Sequence, residues 1–458
     1  MRILVVSNDR IGRSMAGPGI RSFQFAKHLA GSFDVTLAVP FAADLELPGA
    51  EVVVRSDYGD GGFRRWTAGF DAVVAQRLGI RTMAHLARSR TRTIYDLYVP
   101  FMMENLGLHR SESGGGGRRL LEYQGMNLVQ GVALGTGDAF ICASERQRDL
   151  WLGALGALGR VDFEQYERDP TLRSLLDVVP FGIEPERPRQ TARVLRGVVP
   201  GIRDSDVVLL WGGGIWNWFD PLTLIRAVGR IAERRDDVKL YFLGVRHPNP
   251  LIEEMAMATR AVALARELGL AERHVFFNPG WVPYEERQNY LLEADIGVST
   301  HFDNVETRFS FRTRMLDYLW AGLPIVTSRG DVLSELVERQ GLGRAADAED
   351  LDGLTAAILE LVEDEGARAA ARERIAEVRG EFAWPRAVAR LADLIAAPGR
   401  PRPPGRGALA GLGAQHALLA GRALSDRGAR GAVEDVLGLY RRGRRGRRVR
   451  DAEREPRA

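Results

Sequence analysis

Short apolar runs alternate along this chain with stretches whose apolar positions recur every three or four residues. Positions 2–7 (RILVVS), 34–39, 72–76, 93–96 and 139–143 predict strands. Between them, 21–29, 120–134 and 145–155 predict helices, and 178–179 begins an exit strand. The alternation then restarts. Strands are predicted at 207–212, 239–244, 275–278, 296–299 and 324–328. Helices are predicted at 221–234, 251–268, 284–294, 313–321, 351–363, 367–378 and 385–395. Such a strand-helix rhythm implies parallel sheets with helices on both faces.

The two rhythmic halves are separated by a Pro- and Arg-rich passage, PFGIEPERPRQTARVLRGVVPG at 180–201. The predicted organisation is an α/β chain of two doubly wound, Rossmann-like domains. They span 1–183 and 207–397, with 184–206 as the linker, and the last helix can pack back onto the first domain. Ligands of open parallel sheets sit at the carboxyl ends of the strands, so two facing domains create a cleft. From 398 onward the composition turns to Pro, Gly, Ala and Arg, ending in RRGRRGRRVR at 441–450 after a weakly amphipathic stretch at 433–440. This tail, 398–458, is predicted to be largely disordered and basic.

Composition narrows the class. The chain has 458 residues, too long for one ordinary core, with 45% hydrophobic and 27% charged residues. The formal net charge of +3 is too small for the whole molecule to be a polyanion binder, so no nucleic-acid partner is expected. Lys27 and Lys239 are its two lysines, leaving 61 arginines. That bias reads as codon usage, so a single arginine carries weight only in context. One cysteine, Cys142, excludes an internal disulfide framework. No secretion signal and no apolar run of membrane-spanning length is apparent, so a cytoplasmic protein is expected.

One segment concentrates candidate chemistry: FSFRTRMLDYLWAGLPIVTSRGD at 309–331. Ser310 or Thr313 can cap a helix here, Gly322 stops it and Pro324 begins the next strand. The helix start then points at the carboxyl edge of the second sheet, where free N–H groups and the helix dipole attract anions. Arg312 and Arg314 stand at that start, and guanidinium forks match phosphate oxygens. Arg314 and Asp317 are three apart and share a face. A cation beside a carboxylate able to hold sugar hydroxyls suits a nucleotide diphosphate.

RMLDYLWAGLPIVTSRGD resembles the donor-site motif of GT-B glycosyltransferases of the large family 4 (group 1) type. The resemblance extends over 1–397, more strongly in the second domain. It implies a glycosyltransferase using a nucleotide-diphosphate sugar, with retention of configuration and without a metal cofactor. Asp317 matches the Glu that holds the nucleotide ribose in that family, and Arg314 matches a basic position of one common variant. The family often has a further Glu eight residues earlier, where this chain has Phe309; Glu306 can substitute through a longer loop. Relatives also place an Arg and a Lys after the first strand of the second domain. Here WGGGIWNWFDP (211–221) has no cation, and Arg246, Arg308, Arg312 and Arg314 are left to supply the charge.

Further candidates follow from place. Gly212–Gly214 permit close backbone approach to a ligand, and Gly214, Trp216 and Asn217 are donor-contact candidates, with packing at the domain joint as the competing role for the tryptophans. Gly17-Pro18-Gly19 resembles the glycine-rich loop of GT-B enzymes, and Arg21 just after it is expected to face the cleft. It lacks the Gly-x-Gly-x-x-Gly of dinucleotide dehydrogenases. Asp96, at a strand end where many relatives have His, is a candidate contact to sugar or acceptor. His301 follows strand 296–299 and is a cleft candidate. Glu104 and Glu145 also follow strand ends, and both fit helix turns. No metal site is predicted: Asp204 and Asp206 lie in the interdomain stretch, and His pairs at ligand spacing are lacking.

The expected partners are the nucleotide sugar and a glycan or lipid-linked acceptor in cell-surface glycan or glycoconjugate synthesis. The basic tail adds a possible peripheral contact with the inner membrane face. Two other readings fit the same residues. One is a sugar-nucleotide epimerase or hydrolase on this fold; the other is a non-enzymatic scaffold for anionic surfaces or nucleic acid.

Overall fold

The computed structural model describes residues 1–397 apart from 42, 56, 59, 109–115 and 250–251. The basic tail at 398–458 lies outside the described residues. The first sheet is built from β1 (Arg2–Val6), β2 (Asp34–Val39), β3 (Ala50–Val54), β4 (Ala72–Ala75), β5 (Arg92–Asp96), β6 (Ala139–Cys142) and β7 (Leu176–Val178). The second is built from β8 (Val207–Trp211), β9 (Val238–Phe242), β10 (Val275–Phe277), β11 (Ile296–Ser299), β12 (Ile325–Ser328) and β13 (Gly343–Ala346). All pairings are parallel. The orders are 3-2-1-4-5-6-7 and 10-9-8-11-12-13, so each sheet reverses direction beside its first strand.

Central strands are buried on both faces, which is why they read as continuous apolar runs. In β1, Ile3–Val6 are all but inaccessible, and Val5 sits between Leu37 and Val74. The two strands missed in the sequence are both at sheet edges. β3 is half-exposed, and β13 reads GRAA with no β-branched residue. β13 becomes a strand by pairing with β12, where a Cβ on Gly343 would lie 1.9 Å from the Ile325 carbonyl oxygen. The helix predicted at 251–268 is shorter, Ala256–Glu267.

The segment between the domains is bolted to the second domain. The buried Glu293 carboxylate accepts from the backbone N–H groups of Val194 (3.1 Å), Leu195 (2.8 Å) and Arg196 (2.9 Å). The Asn289 amide oxygen accepts from Thr191 N–H at 2.8 Å. At the other end of the chain, helix Trp384–Ala396 packs against helix Gly17–Leu29 of the first domain. Its fully buried Trp384 lies 4.7 Å from the Phe181 ring and 6.3 Å from the Phe25 ring. A Cβ on Gly182 would come within 2.6 Å of the Trp384 ring, so only glycine lets the chain pass there.

Among the hydrogen bonds that join the two domains across the cleft, Asn249 donates to Asp9 at 2.7 Å, Tyr284 N–H to the Arg13 carbonyl at 2.7 Å, and Gln147 to the Phe309 carbonyl at 2.8 Å.

Candidate active site

Between the sheets lies a cavity of about 810 Å³, lined by loops that follow the strands of both domains. One wall is the helix Thr313–Ala321, whose left-handed Gly322 (φ 73°) ends it as the sequence indicates. Its start differs from expectation. Arg312 occupies the cap position and no side chain caps the helix. Ser310 instead donates to the Thr307 carbonyl at 2.9 Å, and Thr313 is already the first helical residue. The helix start is therefore left open to whatever occupies the cavity.

The glycines after β8 are shaped around this helix. The Tyr318 hydroxyl, buried and pushed up to about 12 by desolvation, accepts from Gly212 N–H at 2.8 Å. It donates toward the carbonyls of Leu210 (2.9 Å) and Val298 (2.8 Å), tying two strand ends to the helix. Its ring occupies the space above Gly297, where a Cβ would approach within 2.4 Å. Gly213 then turns with φ 80°, and the Gly214 carbonyl faces Arg314.

The two candidate phosphate arginines differ in kind. Arg312 is spoken for. Its guanidinium meets the Glu306 carboxylate at 2.9 and 2.7 Å, and its Nε lies 3.8 Å from Asp331. Arg314 has no carboxylate partner among the described residues. Its Nη2 donates to the Gly214 carbonyl at 2.8 Å, and its guanidinium lies 4.3 Å from the Trp211 ring centre and 4.1 Å from that of Phe219. Nη1 is buried and has no partner. Burial pulls the Arg314 guanidinium down to about 9, and the neighbouring Arg312 charge adds to this against the opposing effect of Tyr318. A buried cation with an unused donor on a cavity wall is a site prepared for an anion.

Asp317, one turn further on, also lines the cavity, but the local pair with Arg314 does not form. It accepts from Arg287 Nε at 3.1 Å and keeps a side-chain exposure of 35%. Arg287 is held between the rings of Tyr284 and Trp320, at 3.7 and 4.5 Å. Nothing in the sequence marked Arg287; it is 30 positions from Asp317, and only the packing of two helices joins them.

Gly17, Gly214, Trp216 and Asn217 also line the cavity. Gly17 touches the opposite domain: a Cβ there would lie 3.8 Å from the Thr313 hydroxyl. Trp216 stacks on Trp218 at 5.1 Å and lies 5.4 Å from the His247 ring. The Asn217 side chain accepts from Met257 N–H at 3.0 Å and so also serves the start of helix Ala256–Glu267.

Other candidates are placed elsewhere. Asp96 and Arg21 do not face the cleft. They form a fully buried pair at 2.6 and 3.0 Å, and Arg21 also donates to the carbonyls of Val179 (2.8 Å) and Pro180 (3.0 Å). The guanidinium thus ties β5 to the exit of β7 beneath the glycine loop. His301 is completely buried behind the cavity, with Nε2 3.1 Å from the Asp331 carboxylate. That carboxylate is held low: desolvation opposes ionisation, but His301, Arg312 and the Ser334 N–H outweigh it. Glu306 is enclosed with Arg312 rather than exposed to ligand. Gly19 faces the Arg10 carbonyl, where a Cβ would come within 2.3 Å. Arg246 and Arg308 are exposed and off the cavity wall. Among the described residues no three His, Cys, Asp or Glu side chains converge to hold a metal ion.

Two doubly wound parallel-sheet domains facing one cleft are the GT-B class of glycosyltransferase fold. Residues 206–364, most of the second domain, match the family model described as glycosyl transferases group 1. This match makes the chain a glycosyltransferase that resembles that family. None of the curated proteins matches the chain by sequence. Among solved structures, sucrose-phosphate synthase from Thermosynechococcus elongatus is similar at 15% identity and a TM-score of 0.59, over 86% of this chain and 98% of that one. WaaG, a glycosyltransferase involved in lipopolysaccharide biosynthesis, is similar at 15% identity and 0.58, over 86% and 100%. HepE of Anabaena, in complex with UDP and glucose, is similar at 14% identity and 0.58, over 86% and 98%. At these identities the likeness is one of fold.

Proposed function

We propose that the enzyme transfers a sugar from a nucleotide-diphosphate sugar to an acceptor hydroxyl with retention of anomeric configuration. The observation that carries this reading is Arg314: a buried guanidinium with an unpartnered Nη1, at the open start of a helix on the wall of the cleft. In this reading the diphosphate takes that donor and the first-turn N–H groups, without a metal ion, and Asp317 accepts from the ribose hydroxyls. HepE, which shares the fold, is described with UDP-glucose, a donor of this chemical class.

Charge builds on the diphosphate as the bond from the anomeric carbon to phosphate oxygen breaks. Arg314 and the helix end are already oriented toward that charge, so they stabilise the transition state without reorganising. The acceptor oxygen forms its bond to the anomeric carbon on the same face. Its proton passes to the departing phosphate oxygen, so no protein base is required. Retention itself rests on the family resemblance.

The acceptor proposed is a glycan or lipid-linked molecule of cell-surface glycan synthesis, met at the inner membrane face. The Arg-rich sequence 441–450 supports that placement. No described helix is long and apolar enough to cross a membrane. A thermal-shift panel of UDP-, GDP- and ADP-sugars tests the donor, because a ligand that binds only the folded state raises its melting point. Transfer to an alkyl glycoside acceptor is then followed by NMR at the new anomeric centre. Release of free sugar only, or of an epimerised nucleotide sugar, overturns the transferase reading.

A further inference from the structure

Glu104 belongs to the first domain, in the helix Phe101–Leu108 that follows β5; it lines the cavity, and its helix packs against Val305–Phe309, just before the donor helix. Its backbone N–H is used, donating to the Pro100 carbonyl at 3.1 Å. Its carboxyl group has no hydrogen bond or ion pair among the described residues, unlike Asp96 and Glu306. Its side chain is half-buried on the cavity wall, so the carboxyl is open to a polar ligand that supplies the missing partner.

Position indicates which part of a ligand that is. Along the donor helix, Asp317 lies one turn in, Arg314 in the first turn and Arg312 at the cap. A nucleotide sugar bound with ribose at Asp317 and diphosphate at Arg314 therefore directs its sugar out past the helix start. The charged groups that bear on Glu104 are the two just beyond that start, Glu306 and Arg312. Tyr98, at the end of β5, is within electrostatic reach of Glu104, and Tyr123 of helix Gly116–Thr136 lines the same cavity.

We propose that Glu104 contacts the transferred sugar, exchanging hydrogen bonds with a ring hydroxyl and so deciding which sugar is accepted; this rests on the nucleotide-sugar reading above. The protonation state suits the task. Burial first, and then the negative charge of Glu306, push the Glu104 carboxyl up to about 8, with Arg312 opposing. Below that pH it is a neutral acid that both donates and accepts, as a sugar hydroxyl does. A site built to bond a hydroxyl rejects the epimer that places it elsewhere, because its own polar group is then left unpaired.

The test uses the full chain with Glu104→Gln and Glu104→Ala. Binding of UDP, GDP and ADP, and of their glucose and galactose conjugates, is measured by calorimetry between pH 6.5 and 9. Both variants are expected to bind the bare diphosphate as the wild type does. Glu104→Ala should lose about tenfold for the preferred nucleotide sugar, the equivalent of one buried hydrogen bond, and with it the glucose-galactose discrimination. Wild-type affinity for the nucleotide sugar should fall as pH rises through about 8. Glu104→Gln, which keeps a donor and an acceptor but cannot ionise, should lack the fall near pH 8, and it carries the test if the Ala variant fails to fold. Unchanged nucleotide-sugar affinity and discrimination in both variants would overturn the assignment to Glu104. Wild-type protein that binds none of the diphosphates or conjugates overturns the donor reading, and this inference with it.

Discussion

Replacing Arg314 by Met separates a residue that holds the fold from one that waits for an anion. Methionine keeps much of the length and apolar volume and removes the charge. Without ligand, the guanidinium sits in an environment whose burial pulls it down to about 9. At 1.36 kcal/mol per pH unit, that corresponds to at most about 5 kcal/mol against the charged form. Stacking on Trp211 and Phe219 returns about 1–2 kcal/mol, and the hydrogen bond to the Gly214 carbonyl about 1.5–3 kcal/mol. The balance leaves the empty wild-type protein about 0–2.5 kcal/mol less stable than the variant. In a domain of this size, the melting point of Arg314→Met should therefore stay level or rise by up to about 10 °C.

Ligand reverses the order. The diphosphate bonds lost with the guanidinium are worth about 2–3 kcal/mol, or about 30- to 140-fold in dissociation constant. A diphosphate concentration of about 100 times Kd stabilises the wild type by about 2.7 kcal/mol, and the variant should lose most of that shift. Scanning calorimetry with and without nucleoside diphosphate gives both numbers on one sample. A variant that melts well below the wild type and still binds the diphosphate normally would refute the argument and make Arg314 a core residue.

Three further outcomes are expected. Asp317→Asn should weaken nucleoside diphosphate binding by about 1.5–3 kcal/mol, the worth of charge-assisted bonds to ribose, while circular dichroism stays unchanged; equal calorimetric affinities would remove Asp317 from the site. Asp96→Asn should cost about 3–5 kcal/mol of stability by leaving Arg21 buried and uncompensated, whereas Arg21→Met with Asp96→Leu should recover most of it in urea denaturation; a catalytic defect without a stability loss would restore Asp96 to the active site. Full-length protein should pellet with anionic but not neutral vesicles, and a chain ending at Ala397 with neither, since each Arg near such a surface contributes about 1 kcal/mol; equal pelleting of the two chains would end the membrane proposal.

The local grammar of the chain was legible because it depends on near neighbours. Strands buried on both faces show as apolar runs, and Gly322 stops its helix through its own backbone freedom. The helix Thr313–Ala321 and its stop at Gly322 followed from local spacing. What tertiary structure decided is how each charge is used. Arg312 and Arg314 are two residues apart and alike in sequence, yet one is neutralised by Glu306 and the other left unpaired. Asp96 and Arg21 are 75 positions apart and compensate each other in the interior, away from the cleft they were expected to reach. Arg287 reaches Asp317 only through the packing of two helices, and Glu104 comes to line the cavity only once the two domains face one another. Periodicity carries information about which face of an element is buried. The free energy of a buried charge depends on which opposite charge the fold brings within a few ångströms, and that partner lies at no fixed distance along the chain.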